Sequence, residues 1–198
     1  MPTRAVLPRI LGALFYWSPE KPDVKALIDC LPTLPELYPW RDLTPISRLC
    51  VDWPQPDADA LAWQFSVLFE GQGDMPVPPW GSVWLERDNL LMGDTTAEYR
   101  AFLQSHGMAF DARHTEPEDQ FGLMLLAYSA LLEQGNDAAA NTLLETHLLP
   151  WGYRYLALLH ANAISPFYSR LAAVAECYLR DVEQQQALQP PAKRLYFG

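Results

Sequence analysis

Residues 121–132 read Phe-Gly-Leu-Met-Leu-Leu-Ala-Tyr-Ser-Ala-Leu-Leu, a run with no charged side chain. A strand rarely runs this long without alternation. A helix apolar on nearly every side, by contrast, is stable only when other elements surround it. The run is too short to span a bilayer and contains Gly122, Tyr128 and Ser129, so it predicts the buried centre of an all-α fold. Gly135 stands where the helix should end. Thr115 with Glu118 has the spacing of a capping box at its start, with Pro117 in the first turn where a missing N–H costs little.

Helical spacing continues on both sides. Val6, Leu7, Ile10, Leu11, Leu14 and Phe15 fall on one face, with Pro8 predicting a helix start near itself, and Val24, Leu27, Ile28 and Leu31 repeat the pattern after Pro22. A proline-broken stretch from Pro32 to Pro45 leads to a short apolar segment around Ile46 and Leu49. Leu61, Phe65, Leu68 and Phe69 line the next helix, which Gly71 closes. Thr95 with Glu98 predicts a capping box for a helix ending at Gly107. Residues 137–149, 150–163 and 165–186 complete the set, Ser165-Pro166 reading as a cap followed by proline at the first helical position. The expectation is a single-domain helical bundle over residues 1–198, interrupted by a long irregular proline/tryptophan loop between Gly71 and Asp94. Within that loop, Val83-Trp84-Leu85 and Leu90-Leu91-Met92 flank a polar Arg87-Asp88-Asn89 turn, the pattern of a small irregular hairpin.

Composition narrows the function. Apolar residues are 49% of the 198 and charged residues 19%, the balance of a globular chain. A formal charge of −10 provides no basic face for nucleic acid and favours basic partners. Cys30, Cys50 and Cys177 are dispersed, an odd set that fits a reducing compartment. Arg4, Arg9 and the run Ile10 to Trp17 imitate a secretory leader, but Ser18-Pro19-Glu20-Lys21-Pro22 follows with no small-residue cleavage site. The stretch therefore reads as a first core helix and the protein as cytoplasmic.

No G-x-S-x-G, P-loop, G-x-G-x-x-G or H-E-x-x-H is present. Two stretches stand out instead. Pro78-Pro79-Trp80-Gly81-Ser82-Val83-Trp84 offers amphipathic aromatics on stiff backbone, and Glu116-Pro117-Glu118-Asp119-Gln120-Phe121-Gly122 gathers carboxylates ahead of the central helix.

Those stretches also carry a resemblance. Together with Arg9 to Tyr16, Phe65-x-x-Leu68-Phe69-x-Gly71, Leu91-Met92-Gly93-Asp94, His147 to Trp151 and Pro166-Phe167-Tyr168, they recur in the order and spacing of one family. The chain resembles the TorD/DmsD family of redox-enzyme maturation chaperones, nearest its DmsD branch. The resemblance implies an all-helical protein, not an enzyme and without a cofactor. It implies binding of the twin-arginine signal peptide and the apo form of a molybdoenzyme catalytic subunit, of the dimethyl-sulfoxide-reductase type. The peptide is held from export until folding and cofactor insertion are finished, with the twin-arginine translocase as a further partner. It also implies a signal-peptide surface at Phe65, Leu68, Trp80, Gly81, Ser82, Trp84, Glu116, Pro117, Asp119 and Gln120. Gln120 stands where the family has histidine, so the group there hydrogen-bonds but does not titrate near neutral pH.

The physical reading agrees. A basic and apolar leader needs an acidic rim beside an apolar groove, and residues 86–119 supply Glu86, Asp88, Asp94, Glu98, Asp111, Glu116, Glu118 and Asp119 against Arg87, Arg100 and Arg113. Phe65, Leu68, Trp80 and Trp84 are expected in the groove, with Glu116 and Asp119 contacting arginines. Apolar burial at about 25 cal/mol per Å² should supply most affinity, and the acids should orient the peptide. Two other classes compete with this reading: a small metal-dependent hydrolase using His114, Glu116 and Asp119, and a structural subunit with the loop as a permanent interface.

Overall fold

The computed structural model describes residues 3–72, 75–108 and 116–198, and among them it contains ten α-helices and no strands. The apolar run forms α7, Phe121–Glu133, with ten of its residues buried. It lies along α1, Thr3–Tyr16. The two meet backbone to backbone at a glycine pair: a Cβ on Gly122 would fall 2.7 Å from the Gly12 carbonyl oxygen, and one on Gly12 2.8 Å from that of Gly122. Side chains lock the same pair along its length. The Ser129 hydroxyl donates to the Ala5 carbonyl at 2.7 Å, and the Gln120 amide donates to the Phe15 carbonyl at 3.1 Å. At the outer edge Arg9 pairs with Glu133.

The remaining helices wrap this pair. They are α2 (Pro22–Asp29), α3 (Leu43–Leu49), α4 (Ala58–Phe69), α5 (Gly81–Leu85), α6 (Asp94–Ser105), α8 (Asp137–Thr142), α9 (Leu149–His160) and α10 (Pro166–Gln185). A 3₁₀ segment, Leu31–Glu36, follows α2, and a π-helical turn, Leu143–Leu148, joins α8 to α9. That turn ends two residues before Pro150, which has no N–H to continue an α ladder. Buried apolar side chains form a continuous cluster from Ala5 to Leu188. Several predicted ends are seen: Gly71 has φ +73° after α4, Gly135 has φ +71° after α7, and Ser165 caps α10 by accepting from the Tyr168 N–H.

Four local expectations need correction. α1 starts at Thr3, so Pro8 lies inside the helix. Burial of Ala5 and Leu7 in the core outweighs the missing hydrogen bond. The Val83-Trp84-Leu85 segment is helical rather than one arm of a hairpin. α6 makes no use of a Thr95 cap; the Glu86 carboxylate accepts the Thr95 N–H at 2.7 Å from across the loop. Lastly, α7 is capped by the Gln120 side chain, which accepts from the Leu123 N–H at 2.9 Å, so Pro117 and Glu118 precede the helix. Thr115 lies outside the described residues, as do Gly73, Asp111, Arg113 and His114.

Candidate functional site

The two conspicuous stretches are sewn together. Trp80 and Gln120 pair as an isolated antiparallel bridge, with the Gly81 N–H bonded to the Asp119 carbonyl at 3.0 Å and the Phe121 N–H to the Pro79 carbonyl at 2.8 Å. Asp119 sits beneath this bridge, 1% exposed, where one carboxylate oxygen accepts the Ser82 N–H at 2.6 Å. That bond satisfies an orphan donor in the first turn of α5. Burial raises the Asp119 pKa above the ordinary carboxylate value, against the opposing hydrogen bond from the Ser82 N–H. Gly81 is required by its neighbour, since a Cβ there would meet the Trp151 indole nitrogen at 2.9 Å.

On the outer side, the Trp80 indole N–H donates to the Glu116 carboxylate at 2.5 Å. Glu116 lines a cavity of about 380 Å³ with Tyr16, Trp17, Ser18 and Lys21 from the end of α1 and the turn after it. Phe65 and Phe69 from α4, Glu70 at its C-cap, and Gln120 complete its wall. Tyr16 is half-buried, and desolvation and then the Glu116 charge push its phenol pKa up. The cavity thus combines aromatic walls with two carboxylates, chemistry suited to a cation carried on an apolar chain.

The residues expected at the surface divide into two groups. Phe65, Glu116 and Gln120 line the cavity, with half-buried Trp80 bonded beside it. Leu68, Gly81, Ser82, Trp84, Pro117 and Asp119 are buried and are not part of its lining. Trp84 stacks on Trp151 at 6.3 Å between ring centroids, meets the Phe197 ring edge at 5.0 Å, and donates its indole N–H to the Pro78 carbonyl. Of the predicted acidic rim, Glu86 is spent on the Thr95 N–H, and both oxygens of Glu118 accept from Arg100, at 2.6 and 2.7 Å. Arg100 holds the Glu118 pKa down. Sequence reading assigned no binding role to Tyr16, Trp17, Ser18, Lys21, Phe69 or Glu70 of this wall, although Tyr16 and Phe69 belong to the stretches that carry the resemblance.

Comparison with known proteins agrees with this architecture. The family model described as nitrate reductase delta subunit matches residues 38–157. The Tat proofreading chaperone DmsD of Salmonella paratyphi A is 35% identical over 193 residues, covering 97% of this chain and 95% of its own. The chain belongs to the TorD/DmsD family of redox-enzyme maturation chaperones. Within the family, the chaperone protein YcdY of Escherichia coli is 34% identical, covering 85% of this chain and 87% of its own. The chaperone protein TorD of a Psychrobacter species is 30% identical over 71% of this chain and 67% of its own. A TorD/DmsD family member is a chaperone rather than a catalyst, and the hydrolase reading finds no support. Of its three residues, Asp119 is buried and His114 lies outside the described residues. Among the described residues no helix is long and apolar enough to cross a membrane.

Proposed function

We propose that this chain is a Tat proofreading chaperone acting in the cytoplasm as one helical domain over residues 1–198. It binds the twin-arginine signal peptide of an apo molybdoenzyme catalytic subunit and holds it from export until cofactor insertion is complete. The observation that carries this reading is the Trp80–Glu116 hydrogen bond at the mouth of a cavity shared by aromatic rings and carboxylates. It joins the proline loop to the turn before α7, so an apolar contact and an acidic contact stand next to each other. Phe65, Phe69 and Tyr16 offer the greasy part of the leader a wall. Glu116 and Glu70 supply the charge that selects arginine. Gly81, Ser82, Trp84, Pro117 and Asp119 then act indirectly, by fixing the backbone that presents Trp80 and Glu116. Gln120 serves as cap and wall at once, without a titrating proton.

Binding of a synthetic leader, with paired arginines followed by an apolar segment, tests the reading by calorimetry. Trp80→Ala is expected to weaken it about 10- to 50-fold, as loss of an aromatic anchor does, with little change in melting temperature. Glu116→Gln keeps an acceptor for the Trp80 indole but removes the charge. It is expected to cost about fivefold and to flatten the salt dependence. Unchanged affinity in both variants would remove the cavity from the binding site.

A further inference from the structure

Lys21 lies over the Trp17 ring, its ammonium 3.6 Å from the ring centroid. Its backbone is fixed there: the Lys21 N–H bonds the Ser18 carbonyl, and Lys21 is the N-cap of α2, with Pro22 next. The side chain itself is solvent-exposed, so nothing steric confines it to the ring. What holds it is a cation on an aromatic face, in a cavity that also has Glu70 and Glu116 in its wall. The chain thereby supplies its own probe of the chemistry this face accepts. Trp17 packs edge-on against Tyr16 at 4.5 Å between centroids, which steadies the shelf.

Trp17 and Lys21 are also a shared wall. They also line a second cavity of about 420 Å³, whose wall holds Ile10, Ala13, Val24 and Leu27 together with the charged Arg9 and Asp23. An extended chain passing from the first cavity to the second, which is mainly aliphatic, crosses the Lys21–Trp17 contact. A guanidinium is planar and more weakly hydrated than an ammonium, and so stacks on indole better than lysine does. Building on the leader-binding reading above, we propose that the Trp17 face is a guanidinium subsite, held by the chain's own Lys21 until an arginine of the leader displaces it. Lys21 then acts as a tethered competitor. It sets a threshold that an arginine passes and a lysine, which gains nothing by exchange, does not.

Calorimetry with the paired-arginine leader and its paired-lysine counterpart tests this on the full chain. Lys21→Met keeps the aliphatic stem but removes the competing charge, and is expected to tighten the arginine leader about three- to tenfold. Lys25→Met removes an exposed charge one turn away and is expected to change affinity less than about twofold. Trp17→Leu is expected to bring the arginine-to-lysine affinity ratio close to one and to abolish the gain from Lys21→Met when the two are combined. Equal gains from Lys21→Met and Lys25→Met would reduce the effect to general charge and overturn the subsite. So would a silent Lys21→Met in a chain that still binds the arginine leader through Trp80, leaving the leader-binding reading intact. Failure of the wild-type chain to bind either leader would instead overturn that reading, and the subsite with it.

Discussion

Gly122→Val is expected to destabilise the protein by about 3 kcal/mol or more, lowering the melting temperature by roughly 6–12 °C in a chain of this size. The substituent would have to enter a space where even a Cβ lies 2.7 Å from the Gly12 carbonyl oxygen and 3.0 Å from the Phe15 Cβ. The first of these obstacles is backbone, which cannot rotate aside, so α7 must lift off α1. That separation also pulls on the Gln120–Phe15 and Ser129–Ala5 hydrogen bonds. Gly107→Ala is the comparison: no atom of the described residues lies within 4 Å of its Cβ, though its φ is +70°. It should cost only the left-handed strain, about 1 kcal/mol. Thermal unfolding followed by circular dichroism separates the two. Equal losses would mean that the helix pair is not in backbone contact.

The second large effect concerns Asp119. Asp119→Ala is expected to cost about 1–3 kcal/mol, because it leaves the buried Ser82 N–H without its acceptor. Asp119→Asn retains an acceptor and adds a donor, and is expected to be no less stable than wild type at neutral pH. The sign follows from the raised pKa. The folded state binds the Asp119 proton more readily than the unfolded state, so this group penalises folding when ionised, and the penalty fades as pH falls through the folded-state pKa. Wild type should therefore gain on Asp119→Asn as the solution is acidified. Denaturant titrations of the three proteins across the acid range read this directly. If Asp119→Ala were harmless and Asp119→Asn damaging, the carboxylate would be doing something other than holding the Trp80 turn.

This role for Asp119 shows where sequence stops being legible. The chemistry of the Glu116–Gly122 stretch was readable as acids beside a helix start, but direction was not. Glu116 points to the cavity and Asp119 into the core, three residues apart in one turn. The hydrogen bond from the Ser82 N–H decides that, 37 positions away. Trp84 is a similar case. A tryptophan in a proline loop suits a recognition surface equally well, until Trp151 and Phe197 close over it. The centre of the fold was legible because a helix apolar on every side has one stable destination. Cap residues such as Ser165 were legible because they act on their own next turn. Pro8 misled because its local cost is offset by tertiary burial of Ala5 and Leu7. Lys21 and Glu70 carried no local signal; each matters only through the helix ends that converge on Trp17 and Glu116.

The seven tryptophans provide a direct test of the central claim that the leader seats at the Trp80–Glu116 mouth. Each indole N–H gives its own proton–nitrogen correlation, assignable by single substitution to phenylalanine. On titration with the paired-arginine leader, the signals of Trp80 and Trp17 should shift together along one saturating curve. Those of Trp40, beside Tyr178 of α10, and Trp53, packed on Phe167, should stay in place. A leader that binds while the Trp80 and Trp17 signals remain fixed would contradict the account.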